Sequence, residues 1–351
     1  MKILHLTECM AGGVSTAVIG YAQNTPEHEH YLLANARRAH NGMAVIPPRV
    51  FKEFFPLPSK NYQALKRLAE VIEVLEPDLI HAHSSFAGVY SRLLRLVPRF
   101  HRFPVVYTPH GLAFSREDIS NSKRFAFRSA EKILAPLTSV FAGCSTDESN
   151  RLRSIAPKRS HICVPNAIPE VRLKTFTPWQ EHEDQVIGVL GRITPARDPQ
   201  MIVEIANLLK HRQQLSGVKV VWIGDGPRDT KSQLVDAGVE VTGWIDASEV
   251  PKKLLELSVL VHTAKWDGFP MSVLEAINIG VPTIVSDIPA LAECPEQARF
   301  STAEEAVSRI QSLLRNPHID GWENIRNLYN QQSQTEQLQR AYLTAAGSLE
   351  E

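Results

Sequence analysis

Two doubly wound, Rossmann-like α/β domains in tandem are what this sequence predicts, on three observations. Short apolar runs alternate with helix-like stretches through both halves of the 351-residue chain, the pattern of βα units on parallel sheets. A proline-bearing segment of mixed polarity, PNAIPEVRLKTFTPWQEHEDQ, interrupts the alternation near the middle and reads as a linker. At this length, with 43% apolar and 22% charged residues, each half can bury a core of its own.

In the first half the predicted strands are KILHLTE at the start, HYLLAN near residue 30, LIHAH near 80, PVVYTPH at 104–110 and SVFAGCS at 139–145. The stretch NYQALKRLAEVIEVLE places Leu65, Leu68, Ala69, Ile72 and Leu75 at helical spacing, and Pro77 and Asp78 stop it. In the second half VIGVLGRI, VKVVWIGDG, VEVTGW, VLVHTA and VPTIVSD read as buried strands. The domains are expected over residues 1–168 and 169–330, with a last helix in 331–351 that can complete the first or pack on the second. Ligands of such sheets bind outside the carboxyl ends of the strands, so two of them imply a cleft that the functional residues line.

The formal charge is zero, but the halves differ: 21 basic against 13 acidic side chains up to Ile168, and 17 against 25 beyond it. A basic first half either has differently solvated surfaces or faces an anionic membrane or a phosphate-bearing acceptor. The stretch YSRLLRLVPRFHRF, with Arg92, Arg95, Arg99 and Arg102, and the following KRFAFRSAEK fit a surface lying on anionic lipid, and equally a helix with arginines on its solvent face. No nucleic-acid partner is indicated. No run of 18 apolar residues and no leader-like start occur, so a cytoplasmic protein, peripheral at most, is expected. Cys9, Cys144, Cys163 and Cys294 have no metal-ligand spacing and are expected as core residues, with no metal and no disulfide.

The sharpest constellation is WDGFPMSVLEAINIGVPTIVSD. Asp267 and Glu275 lie eight positions apart across a Gly268-Phe269-Pro270-Met271-Ser272 turn that opens a helix, with Pro270 suited to its first position and Gly280 to its stop. The turn aims backbone N–H groups at a diphosphate or sugar hydroxyls. Asp267 can accept from sugar hydroxyls and Glu275 from the two ribose hydroxyls. Upstream, GRITPARDP carries Arg192 and Arg197, paired cations able to meet the charge on a departing diphosphate.

With these residues the sequence resembles the retaining GT-B glycosyltransferases of family 4. Members carry two acidic residues separated by seven others, flanking a G-[FL]-P-x-[SV]-x-x-E-A turn, and a G-R-[IL]-x-x-x-K-[GN]-P element. Glu275 matches the second acidic position; Asp267 stands where Glu is usual, one methylene shorter, and Arg197 replaces the common Lys.

The resemblance implies that Gly224 and Gly226 of VVWIGDGP and Trp244 of VEVTGW sit against the nucleoside. It also places Gly12 and Gly13 near donor phosphate and acceptor, His110 of TPHG at the reacting sugar, and Ser145 and Asn166 as supporting residues. Retaining transfer from a nucleotide-sugar, UDP first and GDP second, to a glycan or lipid-linked glycan of an O-antigen, capsule or exopolysaccharide is the implied activity. No metal or other cofactor is implied, because arginines take the metal's place and no D-x-D stands in a suitable loop.

Three other readings remain open at this point. A GT-B epimerase of UDP-sugars needs an acid at the sugar's C2, for which no dedicated candidate stands out. An NAD-dependent oxidoreductase needs G-x-G-x-x-G directly after a strand, which is missing. A non-catalytic sugar-nucleotide-binding protein is disfavoured by the intact Arg192, Arg197, Asp267 and Glu275 and is separated by donor turnover.

Overall fold

The computed structural model describes residues 1–8, 10, 12–35, 49–168, 178–212, 215 and 217–347. The chain forms two compact units, Met1–Ala167 with Asn330–Glu351, and Ile168–Tyr329. Cys9 and part of the linker, residues 169–177, lie outside the described residues, and Cys144, Cys163 and Cys294 are free thiols.

In the first unit the described strands are β1 (Lys2–Thr7), β2 (Glu29–Ala34), β3 (Glu53–Pro56), β4 (Leu79–His83), β5 (Val105–Thr108), β6 (Val140–Gly143) and β7 (Ser160–Cys163). They pair in parallel in the order 3-2-1-4-5-6-7. Helices α1 (Gly12–Asn24), α2 (Asn61–Leu75), α3 (Ser85–Leu94), α4 (Asn121–Leu134) and α5 (Thr146–Ile155) make the crossovers. Both faces of the sheet are covered: Leu4, Leu6 and Ile80 pack on one side with Leu68 and Ile72, while Ile3, Leu79, Val106 and Val140 pack on the other with Tyr21. Strands buried on both faces read as unbroken apolar runs, which is why the sequence shows them so plainly.

The second unit repeats the plan with β8 (Val186–Leu190), β9 (Lys219–Ile223), β10 (Val239–Val241), β11 (Val259–His262), β12 (Thr283–Ser286) and β13 (Arg299–Phe300), parallel and ordered 10-9-8-11-12-13. Its helices are α6 (Pro199–His211), α7 (Arg228–Asp236), α8 (Val250–Leu255), α9 (Met271–Asn278), α10 (Ala303–Leu313) and α11 (Trp322–Leu328). The last helix, α12 (Gln331–Ala345), belongs to the first unit. Its Leu338, Ala341 and Tyr342 pack with Ile3, Tyr21 and Leu79, and the buried Gln334 donates to the Pro165 carbonyl at 2.8 Å.

Strands β3, β7 and β13 were not among the expected ones. Each is an outermost strand of two to four residues carrying a charge, a proline or a histidine, the composition that protects a sheet edge and hides it from an apolar-run search. Helix α2 ends as expected, with Glu76 in the left-handed region before Pro77 and its N–H on the Ile72 carbonyl.

The basic surface expected from Arg92 to Arg102 is corrected by the fold at Arg92 and Arg95. Arg92 is fully buried on α3: Nη1 reaches Glu131 Oε2 at 2.7 Å, Nε donates to the Gly88 carbonyl, and the guanidinium lies 4.3 Å from the Tyr107 ring centroid. Arg95 donates to the Leu137 carbonyl and Ser139, while Arg99 pairs with Glu73 and Arg102 with Glu76. Arg92 and Arg95 hold the unit together, whereas Arg99 and Arg102 stay exposed in surface ion pairs. Helix α4 faces solvent, burying only Glu131 and Leu134 while Phe125 and Ile133 are each 73% exposed beside Lys123, Arg128 and Lys132.

Candidate active site

A doubly wound sheet opens a crevice where its strand order reverses. In the second unit that point lies between β8 and β11, and the loops leaving those two strands carry most of the expected residues. After β8, Gly191 takes a φ of +138°, and Gly224 (φ +143°) and Gly226 pass directly over the loop. A side chain at Gly224 would meet the Gly191 carbonyl at 2.2 Å, and one at Gly226 would meet Ile193 at 2.5 Å. These glycines therefore let two loops close on each other, a reason the nucleoside-contact reading did not include.

The loop turns through Asp198, left-handed at φ +45°, into Pro199 at the start of α6. Its Arg197 is fixed from several sides. Thr263 Oγ1 bonds the Arg197 carbonyl, the Lys265 N–H bonds the Ala196 carbonyl at 2.9 Å, and Lys265 Nζ reaches Asp198 at 3.1 Å. The Arg197 guanidinium lies on Asp267 Oδ2 in a close ion pair, and Nη1 is 3.2 Å from His262 Nε2. A guanidinium can only donate, so His262 Nε2 accepts and its proton is on Nδ1. Burial and the Arg197 charge push the His262 imidazole down to about 4 against the pull of Asp267. Burial alone would raise the Asp267 carboxyl, but the Arg197 guanidinium holds it well below the usual carboxylate range. Asp267 is thus ionised and holds Arg197 in place, a task beyond the sugar contact expected of it. Arg192, five residues earlier, is exposed and has no ion pair or hydrogen bond among the described residues.

The turn after β11 opens α9 as expected, with Pro270 one place earlier than anticipated, as the residue before Met271. Gly268 N–H is taken by Asp267 Oδ1 at 2.7 Å. The N–H groups of Met271 and Ser272 have no acceptor among the described residues, as befits a first helical turn, and the buried Ser272 Oγ is also without a partner. Glu275 stands half-buried one turn along. Two side chains of the turn are buried: Phe269 is 2% exposed and stacks on Tyr329 at 3.8 Å between ring centroids, and Met271 is buried with it. Both pack the core, leaving only their backbone for a ligand. Trp244 is 41% exposed, its loop tied to Gly224 through a bridge at Gly243, so it is not a core aromatic.

In the first unit the reversal lies between β1 and β4. Gly12, at φ +59°, and Gly13 start α1 just past β1. His110 follows β5 with φ +52°, a strained conformation next to Gly111 at +108°. Burial pushes the His110 imidazole down to about 3, so it is neutral. The Gly111 N–H donates to Glu148 Oε1 at 2.7 Å, and Glu148 Oε2 takes the Cys144 N–H at 2.8 Å. Ser145 is explained by the same motif: it caps α5, accepting from the Glu148 N–H at 3.2 Å. Asn166 is buried nearby, its N–H 3.4 Å from the Cys144 carbonyl. Sequence reasoning missed Glu148 and His262; the S-x-x-E box of STDE and the strand-end position of VLVH were the available signals.

Among known proteins, the Glycosyltransferase Family 4 model matches residues 11–172 and the "Glycosyl transferases group 1" model matches residues 184–316. The chain belongs to the group 1, family 4 glycosyltransferases and is a GT-B transferase. An uncharacterized 41.2 kDa protein in the cps region of Klebsiella pneumoniae is 26% identical over 84% of this chain and 83% of its own. The Escherichia coli UDP-Gal:alpha-D-GlcNAc-diphosphoundecaprenol alpha-1,3-galactosyltransferase is 26% identical over 65% of this chain and 62% of its own. Among solved structures, Anabaena HepE in complex with UDP superposes with a TM-score of 0.74 at 16% identity, covering 99% of this chain and all of that one.

Proposed function

We propose that this glycosyltransferase moves a sugar from a nucleotide-sugar, with UDP as the favoured nucleotide, to a lipid-linked glycan during surface-polysaccharide assembly, with retention at the anomeric carbon. The observation that carries the reading is the braced Arg197 beside the α9 N-terminus with its unpartnered N–H groups and Ser272 Oγ. Oriented donors cost no reorganisation when a diphosphate leaves, which is how such sites accelerate the reaction. The arginines supply the charge a divalent ion would otherwise bring, so the proposed reaction is independent of metal. Arg192, free of partners among the described residues, is available to the β-phosphate; Glu275 takes the ribose, and the resemblance assigns His110 to the sugar. The donor and acceptor in the E. coli relative's name and the UDP of HepE support the choice of nucleotide and of a polyprenyl-diphosphate acceptor.

Titration with UDP, GDP and ADP tests the donor half. One nucleotide is expected to bind, and Glu275→Gln to weaken it about ten- to a hundredfold, as for a lost charge-assisted hydrogen bond. Equal affinity in the variant contradicts the assignment.

No described helix is long and apolar enough to cross a membrane. For the acceptor we propose peripheral docking on anionic lipid at the inner face of the cytoplasmic membrane, through α4, whose Phe125 and Ile133 share an exposed face flanked by Arg128 and Lys132. Sedimentation with anionic vesicles at low salt, lost in the Phe125→Ser/Ile133→Ser double variant, is the expected result. Wild-type protein that stays in the supernatant overturns it.

A further inference from the structure

Four imidazoles form one hydrogen-bonded row across the first unit, on the adjacent strands β2, β1 and β4 and at the end of β5. His30 Nε2 lies 2.8 Å from the Thr25 carbonyl oxygen and 3.2 Å from Thr25 Oγ1. His30 Nδ1 is 3.0 Å from His5 Nε2, His5 Nδ1 is 3.0 Å from His83 Nε2, and His83 Nδ1 is 3.1 Å from His110 Nε2. Burial pushes all four rings below the usual histidine range, so each is neutral, with one N–H and one lone pair.

The Thr25 end sets the direction of the whole row. A carbonyl oxygen can only accept, and Thr25 Oγ1 gives its own proton to the Tyr21 carbonyl at 2.8 Å. His30 Nε2 must then carry the hydrogen, which leaves Nδ1 as an acceptor. His5 consequently donates from Nε2 and accepts at Nδ1, and His83 does the same. At the far end His110 donates from Nε2, leaving the lone pair on Nδ1.

We infer that the Thr25 carbonyl, acting through His30, His5 and His83, locks His110 in its Nε2–H tautomer and so presents Nδ1 as a hydrogen-bond acceptor. His5, His30 and His83 are positioning residues. A proton taken up at Nδ1 can shift the row by one step at each ring, but the row ends on a carbonyl. The charge can spread along it and must leave by the way it came, so His110 acts as a polarising acceptor and not as a net base. His81 stands beside the row; its partners are the hydroxyls of Tyr342 and Thr108, which can donate or accept and set no direction.

The ring nitrogens of His5, His81 and His83 also lie within 4.8 Å of one another, a spacing a metal ion could use. A metal there would have to take nitrogens that the row already pairs, and it is the competing occupant the test must separate.

That His110 meets the reacting sugar rests on the function proposed above; the lock does not. Two-bond ¹H–¹⁵N correlation on histidine-labelled wild-type protein without substrate, with His110→Gln to assign its signals, reads the tautomers directly. The expected pattern is Nε2–H at His5, His30, His83 and His110, and loss of the single tautomer at His110 in His30→Phe. An Nδ1–H His110 in the wild type, a His110 unchanged in His30→Phe, or stoichiometric zinc on the purified protein overturns the inference. Should His30→Phe fail to fold, the wild-type pattern decides alone, and missing donor turnover counts against the proposed reaction only.

Discussion

Arg197→Ala is expected to slow nucleoside-diphosphate release about 100- to 1,000-fold, the loss typical of removing one oriented donor from a developing anion. The size follows from how firmly the residue is held. Its backbone is bonded by Thr263 and its neighbour Ala196 by Lys265, while its guanidinium is held by Asp267 and His262. Arg197→Lys keeps the charge and loses the fork that meets Asp267 and phosphate together, so a smaller defect is expected. Asp267→Asn, which leaves Arg197 without its counter-ion, should lower turnover while leaving nucleotide affinity within a few-fold. Steady-state release at saturating donor checks all three; an Arg197→Ala enzyme as fast as the wild type contradicts the role.

Acid should unfold the first unit well before it protonates carboxylates in general. His5, His30, His81, His83 and His110 are all held below the ordinary value of 6.5 by burial first, and His110 reaches about 3. The native rings stay neutral while the same rings in the unfolded chain take up protons below about pH 6.5. Their contribution is therefore complete above pH 6.5 and is lost as the pH falls towards the native values. A ring that stays neutral down to pH 5 costs roughly 2 kcal/mol of stability there, so a few such rings together weigh heavily against the whole stability of a domain. Glu148, whose carboxyl burial raises, works in the opposite sense, but it is one group against five. Urea midpoints should fall steeply between pH 7 and 5, and a midpoint flat across that range contradicts the neutral cluster.

The residues proposed to carry donor chemistry were legible because they are local. Asp267 to Glu275 is one turn and one helix, and Arg192 to Arg197 one loop, so spacing alone brings them near a strand end. The histidine row was illegible for the opposite reason: His5, His30, His83 and His110 come from four segments, and only the sheet order 2-1-4-5 makes them neighbours. Arg92 misled for a similar reason, since its partner Glu131 lies on another helix, 39 residues away. Phe269 shows what the motif leaves unsaid. The turn motif marks it as part of the donor site, but its side chain finds Tyr329 and leaves only the backbone at the surface. The short edge strands β3, β7 and β13 lack the apolar run that announces a central strand.

In the proposed reaction the second unit's cations and helix N-terminus drive loss of a nucleoside diphosphate without metal. Purified protein should be incubated with UDP-, GDP- and ADP-sugars and a polyprenyl-diphosphate-linked sugar, with and without EDTA, and nucleoside-diphosphate release followed. Release from one donor, unchanged by EDTA and lost in Arg192→Ala and Glu275→Ala, is expected. Release that stops with EDTA, or that persists in both variants, would contradict it.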